Sequence, residues 1–264
     1  AFVGVKIGLK YSEPFYFAGI RFMLAGLLII PFCGKFIDYI KTCKQNIKII
    51  VLLAILQTFI LYGFFYYTMS FTPAGLVAIV IGSSPLIIAT TSHFTMHNDK
   101  MTTGKAMSLT LGILGVVILS VSRKPWTGHG LKEFIGILFL LIGSLSSAFG
   151  NIIIAKNNKI NPLVFNSAQI FIGGFFLLIL SLGTEGIPKP IWQLEFYLAL
   201  FWLSLLSAVA FSIWFYLLTI PGIKVSELNI WKFIIPICGA GLSWAILPNE
   251  HPDVFTLSGM FIIT

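Results

Sequence analysis

Apolar residues in this chain come in long runs, near 1–9, 14–34, 48–70, 73–96, 103–121, 132–155, 162–182, 192–220, 223–247 and 254–264, with Gly, Pro, Lys and Asn between them. An α-helix rises 1.5 Å per residue, so roughly 20 apolar residues carry it across a hydrocarbon core about 30 Å thick. Eight of the ten runs approach or exceed that length. The first and last are shorter, and each is expected to be part of a helix cut at the chain end. The pattern predicts an all-α integral membrane protein, a bundle of ten helices of which the first and last are incomplete.

Composition agrees. Of 264 residues, 57% are hydrophobic and 10% charged, whereas a soluble domain carries about a quarter charged residues to clothe its surface. The net charge of +8 does not point to nucleic acid, because the lysines cluster in short connections between apolar runs, as in the cytoplasmic loops of membrane proteins. The second, fourth, sixth and eighth loops hold nine basic residues, Lys35, Lys41, Lys44, Lys48, Lys100, Lys105, Lys156, Lys159 and Lys224. The other loops hold five, Lys10, Arg123, Lys124, Lys132 and Lys189. The bias places both termini in the cytoplasm, in what is expected to be the inner membrane of a prokaryote. Cys33, Cys43 and Cys238 lack the spacing of a metal site or redox pair and are read as ordinary thiols. No cleavable leader is evident before the first run.

Sliding the sequence on itself by about 150 residues superposes several landmarks. Pro14 falls on Pro162, Pro85 in Ser-Ser-Pro-Leu-Ile falls on Pro236 in Ile-Ile-Pro-Ile-Cys, and Tyr66 falls on Tyr216. The match predicts two copies, residues 1–121 and 122–264. Five spans per copy is an odd number, so the second copy enters the membrane inverted. Inverted repeats recur in secondary transporters, where exchange of shape between the halves alternates access to the two sides.

The stretch Gly-Leu-Lys-Tyr-Ser-Glu-Pro-Phe-Tyr-Phe-Ala-Gly-Ile-Arg-Phe at 8–22 resembles the passage from first to second helix in the EamA family of the drug/metabolite transporter superfamily. Gly150-Asn151 with Lys156 is similar to the start of that family's second copy, and Trp214-Phe215-Tyr216-Leu217-Leu218 to its eighth helix. The resemblance covers nearly the whole chain. It implies ten helices and transport of small metabolites, often amino-acid export.

Charges buried in apolar runs mark candidate solute contacts, since each costs a few kcal/mol unless paired or hydrated. Lys232 lies about eight residues, roughly 12 Å of helix, from its cytoplasmic end, deeper than its stem can span by snorkelling. The alternatives for Lys232 and Arg21 are a buried pair or a group that binds the anionic part of a solute. In the repeat alignment Arg21 falls opposite Gln169 and Lys232 opposite Ile81, so the fold does not demand either charge twice. Asn151, Asn166, Gln169, Gln57 and Asn229 offer neutral donors and acceptors for a solute or for interhelical bonds. Tyr62 and Trp214 are the aromatic candidates to wall a cavity, where a ring face attracts an ammonium. Gly75, Ala78, Gly82, Pro85, Ala89 and Ser92 form one stripe of the fourth span, and Ser226, Asn229, Phe233, Pro236, Ala240 and Ser243 its counterpart in the ninth. Such stripes serve close packing, and their prolines Pro85 and Pro236 also read as hinges beside a central cavity. Glu227, His93 and Lys232 are candidates for proton coupling, and facilitated or exchange transport stays open as an equal alternative.

Three classes compete: a transporter of a small polar metabolite, an intramembrane enzyme, and a receptor or assembly partner that moves nothing. The enzyme is disfavoured because the sequence holds no HExxH, no GxSxG and no intramembrane carboxylate pair. Without a glycine-rich phosphate loop, ATP-driven transport by this chain alone is disfavoured too. The expected partners are a small-molecule substrate and the lipid bilayer, with no nucleic acid, cofactor or metal, and the oligomeric state stays open.

Overall fold

The computed structural model describes residues 2–72, 77, 80–121, 131–188, 190–234, 238, 257–258 and 261–262, and among these the regular structure is helical throughout. The helices are α1 (Phe2–Gly8), α2 (Pro14–Ile29), α3 (Phe36–Gln45), α4 (Ile47–Leu53), α5 (Leu61–Met69), α6 (Ser84–Thr95), α7 (Thr103–Val121), α8 (Leu131–Lys156), α9 (Pro162–Thr184), α10 (Leu194–Thr219) and α11 (Val225–Ile230). A π-helical segment, Ala54–Ile60, joins α4 to α5 into one continuous span, and a 3₁₀ turn, Trp231–Phe233, extends α11. Prolines open α2 and α9, where the missing N–H would have lacked a helical partner in any case. Among the described residues, five stretches are long and apolar enough to cross a bilayer: Pro14–Phe32, Ile47–Met69, Phe134–Lys156, Pro162–Thr184 and Leu194–Thr219, with mean hydropathy between 1.9 and 2.2.

The chain divides into two compact units, each drawing on both halves of the sequence. One comprises 1–70 and 150–223, the other 71–149 and 224–264.

In the first unit α2 and α9 approach so closely that glycine is required between them. A Cβ on Gly174 would stand 2.8 Å from the backbone nitrogen of Met23, and one on Gly26 would stand 2.9 Å from the carbonyl of Ser167. Membrane helices gain contact this way, through small residues rather than through exclusion of water. The Ser167 hydroxyl donates to the Gly26 carbonyl at 2.9 Å. Gly186, at φ 81°, ends α9 in the left-handed conformation open to a residue without a side chain. Glu185 beside it accepts the backbone N–H groups of Phe15 and Tyr16 at 2.8 and 3.0 Å. The carboxylate at the end of α9 thereby satisfies the orphan donors at the start of α2. Phe17, Phe22, Tyr66 and Phe196 fill the core between these helices and α10.

In the second unit α6 packs against α11, and Ala89, Leu109 and Phe233 form a small buried core. Asp99, in the turn after α6, is tied to the start of α11: its carboxylate accepts the Ser226 backbone N–H at 2.8 Å and the Ser226 hydroxyl. Lys105 donates to Asp99 at 2.7 Å and to the Ser226 hydroxyl at 2.8 Å. Glu227 completes the cluster, 3.5 Å from Lys105 and 3.0 Å from Lys224.

Candidate functional site

Polar side chains buried in helices this apolar must find partners within the protein, because lipid offers none. In the first unit they form two connected groups.

The first is organised by the π segment, a wider turn than the α-helix and a frequent feature of functional sites. It presents Gln57 and Thr58 to the interior. Gln57 donates to Asn151 Oδ1 at 2.7 Å, and the Trp214 indole N–H approaches the same oxygen at 3.3 Å. Gly150 allows the approach, since a Cβ there would lie 2.5 Å from Gln57 Cγ. Thr58 donates to Gln169 Oε1 at 2.9 Å, Gln169 to Asn166 at 3.1 Å, and Asn166 to Ser212 at 3.1 Å. A seam of amides and hydroxyls thus runs from the third span through α9 to α10.

The second group is centred on Arg21, midway along α2 and 4% exposed. Its Nη1 donates to the Tyr66 hydroxyl at 2.5 Å and its Nη2 to the Ser207 hydroxyl at 2.7 Å. The guanidinium carbon stands 4.8 Å from the centre of the Phe22 ring, a cation–π distance. Tyr62 lies against Phe22 at 4.6 Å and stacks on Phe211 at 5.8 Å. Among the described residues no carboxylate lies within ion-pairing distance of Arg21, and its buried Nε has no hydrogen-bond partner. A positive charge is thus held inside the apolar unit by neutral oxygens and ring faces.

Seven of the residues singled out from sequence, Arg21, Gln57, Tyr62, Asn151, Asn166, Gln169 and Trp214, therefore meet within one unit. Asn151 and Trp214 share a bond network, Gln169 sits in the adjoining chain, and Arg21 and Tyr62 share an aromatic surround. Tyr66, Thr58 and Ser207 complete these groups without having stood out as ligands. Serine and threonine in a membrane helix carry little signal, because their hydroxyls also bond the carbonyl one turn back, as Ser207 does to Leu203 at 2.9 Å.

The second unit carries the other candidates. Asn229 is buried and donates to the Val225 carbonyl at 2.8 Å, within its own helix. Lys232 is half-buried in the 3₁₀ turn. Pro85 is buried at the start of α6, directly after a turn at Ser83 that interrupts the fourth span. Pro236, with Gly75, Ala78, Ala240 and Ser243, lies outside the described residues. His93 accepts the Met101 N–H at Nδ1, 2.9 Å away, and so closes the turn after α6. No group of three His, Cys, Asp or Glu among the described residues can hold a metal ion. Asp99 carried a signal that went unused: it is the only acidic residue between Asp38 and Glu133.

The sequence profile of the EamA-like transporter family matches residues 1–121 and again 134–264. An uncharacterized transporter of Bacillus subtilis, YvbV, is 27% identical over 98% of this chain and 82% of its own length. The uncharacterized inner membrane transporter YedA of Escherichia coli is 23% identical over 90% and 76%. A probable amino-acid metabolite efflux pump of Salmonella typhimurium is 25% identical over 99% and 87%. A crystal structure at 15% identity shares the fold, with a TM-score of 0.80 over 99% of this chain and 91% of its own.

Proposed function

The chain belongs to the EamA-like transporter family, and on that premise we propose that it is a secondary transporter of a small polar metabolite of the amino-acid class, working by alternating access. It is an integral membrane transporter and not an enzyme. The observation that carries the finer reading is the concentration of amides, an indole N–H and an unneutralised guanidinium contributed by five apolar spans to the first unit. Amides that satisfy one another can exchange partners with a solute at small net cost, because one hydrogen bond replaces another. Asn151, Gln169 and Trp214 are assigned to the polar groups of the solute, Tyr62 to its ammonium or apolar part, and Arg21 to fixing a positive potential around them. Lys232, with Asn229 one turn before it, is retained as a candidate contact for an anionic group. Pro85 and Pro236 are assigned as hinges. The printed name of the Salmonella relative supports the amino-acid class and export, and that of YedA supports the inner membrane. The lysine-rich loops argue that both termini are cytoplasmic.

The test is paired: initial transport rate in liposomes and thermal stability in detergent, for wild type, Lys232→Met and Trp214→Phe. Lys232→Met keeps much of the apolar stem and removes the charge; Trp214→Phe keeps a ring and removes the donor. Both are expected to slow transport about tenfold, the effect of roughly one lost solute contact, with little loss of stability. Unchanged rates with intact stability reject the binding roles. A large loss of stability moves the residue to a structural role.

A further inference from the structure

Between the second and third spans the chain forms α3, Phe36–Gln45, in place of a solvated loop. At 100° per residue its side chains sort into three arcs. Tyr39 is buried, Thr42 and Cys43 half-buried, and the Tyr39 hydroxyl lies 3.3 Å from the Ser167 hydroxyl of α9. The adjoining arc is apolar and bare: Phe36 is 63% exposed, Ile37 80% and Ile40 37%, and Phe32, just before the helix, 74%. Of the four exposed lysines nearby, Lys41 flanks this arc, Lys44 closes it at the end of the helix one turn after Ile40, and Lys35 and Lys48 stand just before and just after the helix, against the single acid Asp38. The helix also sits at a fixed depth, because the apolar stretch Pro14–Phe32 ends just before it and Ile47–Met69 begins just after it. Both spans leave the hydrocarbon there.

We propose that α3 is an interfacial anchor whose Phe36, Ile37 and Ile40 enter the acyl boundary while Lys35, Lys41, Lys44 and Lys48 engage anionic lipid headgroups. Large apolar side chains flanked by lysines are the pattern of a helix lying in the membrane plane, and each lysine gains from an anionic leaflet. A protein partner fits less well. Lysine is depleted at protein interfaces, and a two-fold pairing with a second copy would set lysine against lysine. The Tyr39–Ser167 contact and the bond from Ser167 to Gly26 connect this surface to the closely packed α2 and α9. The inference stands whichever solute is carried.

The test uses the full chain with its native cysteines replaced by alanine and a fluorescent nitrobenzoxadiazole label on Ile37→Cys. It is reconstituted in phosphatidylcholine vesicles with and without phosphatidylglycerol at about a third of the lipid, and quenching by lipid brominated near the headgroup is read. In the anionic vesicles the label should be quenched. Adding Lys41→Glu and Lys44→Glu, both exposed, should lower the ratio of inserted to free helix about tenfold or more there, and within about twofold in phosphatidylcholine, since each lysine is worth about fivefold. Sodium chloride at about 1 M, where charges are screened beyond about 3 Å, should act on the unsubstituted lysines in the same direction. Emission typical of water in both vesicles, or insertion indifferent to lipid charge, lysine reversal and salt, overturns the proposal. Quenching that depends on the protein-to-lipid ratio instead assigns the surface to a second copy and overturns it too.

Discussion

Glu185 and Asp99 show what single carboxylates accomplish in a chain with few of them. Each accepts backbone N–H groups at the start of a helix from the opposite end of the sequence, Glu185 for α2 and Asp99 for α11. Glu185→Ala strands two donors and removes a charge from a helix N-terminus, a loss of about 1–2 kcal/mol, measurable as a lower unfolding midpoint in detergent. Glu185→Gln, which keeps an acceptor, should recover part of it. For Asp99, burial pushes the carboxyl pKa up, but the hydrogen bonds from Lys105 and Ser226 and the Lys105 charge outweigh it and hold the group below its ordinary 3.8. A depressed pKa means the ionised group adds stability that is complete above the ordinary carboxylate range and is lost as pH falls through the lower folded value. Asp99→Asn should therefore unfold at a lower temperature than wild type at about pH 7, with the gap closing as pH falls below the ordinary carboxylate range. A gap independent of pH would contradict this account. Lys105→Met, which leaves Asp99 buried without its partner, should cost about 3 kcal/mol. At this scale Arg21 was legible because an arginine inside an apolar run is conspicuous. Its partners Tyr66 and Ser207 were not, since a tyrosine or serine in such a run is equally compatible with lipid contact or a bond to its own helix.

Most elements follow from the apolar runs, because in lipid the backbone must satisfy its own hydrogen bonds and a helix does so within one segment. The run at 48–70 became α4, the π segment and α5, and the run at 192–220 became α10. Two features escaped. The helix α3 is too short and too polar for a hydropathy reading, and it shows only as apolar positions at Phe36, Ile37 and Ile40 among lysines. The π segment has no marker in the sequence, since the same residues fit an α-helix; tertiary bonds from Gln57 and Thr58 accompany it. The contact of α2 with α9 was not read from the sequence, because the pairing of Gly26 and Gly174 with their neighbours joins two helices separated by more than a hundred residues. Gly174→Val sets side-chain atoms against the backbone of Met23 and Gly19. Overpacking of this kind costs roughly 1–3 kcal/mol or more, so this substitution should lower the yield of folded protein and the unfolding midpoint, whereas Gly183→Ala, with open space around it, should leave both unchanged.

At the scale of the molecule, the membrane class, the helical fold and the family were readable from hydropathy and a few loose motifs, because those properties are spread over the whole chain. The candidate site was readable in part. Sequence named Asn151, Gln169, Trp214, Arg21 and Tyr62 one by one, but their grouping depends on the way 1–70 and 150–223 fold into one unit. The solute is not written in these residues as a motif, since amides and one guanidinium suit many polar molecules. The most direct test of transport is therefore made with the purified protein in liposomes loaded with a mixture of amino acids, sugars and polyamines, analysing what leaves and in what chemical form. The account predicts that amino acids leave unchanged, about tenfold or more faster than from protein-free liposomes, the increment of a barrier lowered by about 1.4 kcal/mol, while sugars and polyamines stay. Retention of every solute, or release only of chemically altered products, would contradict it.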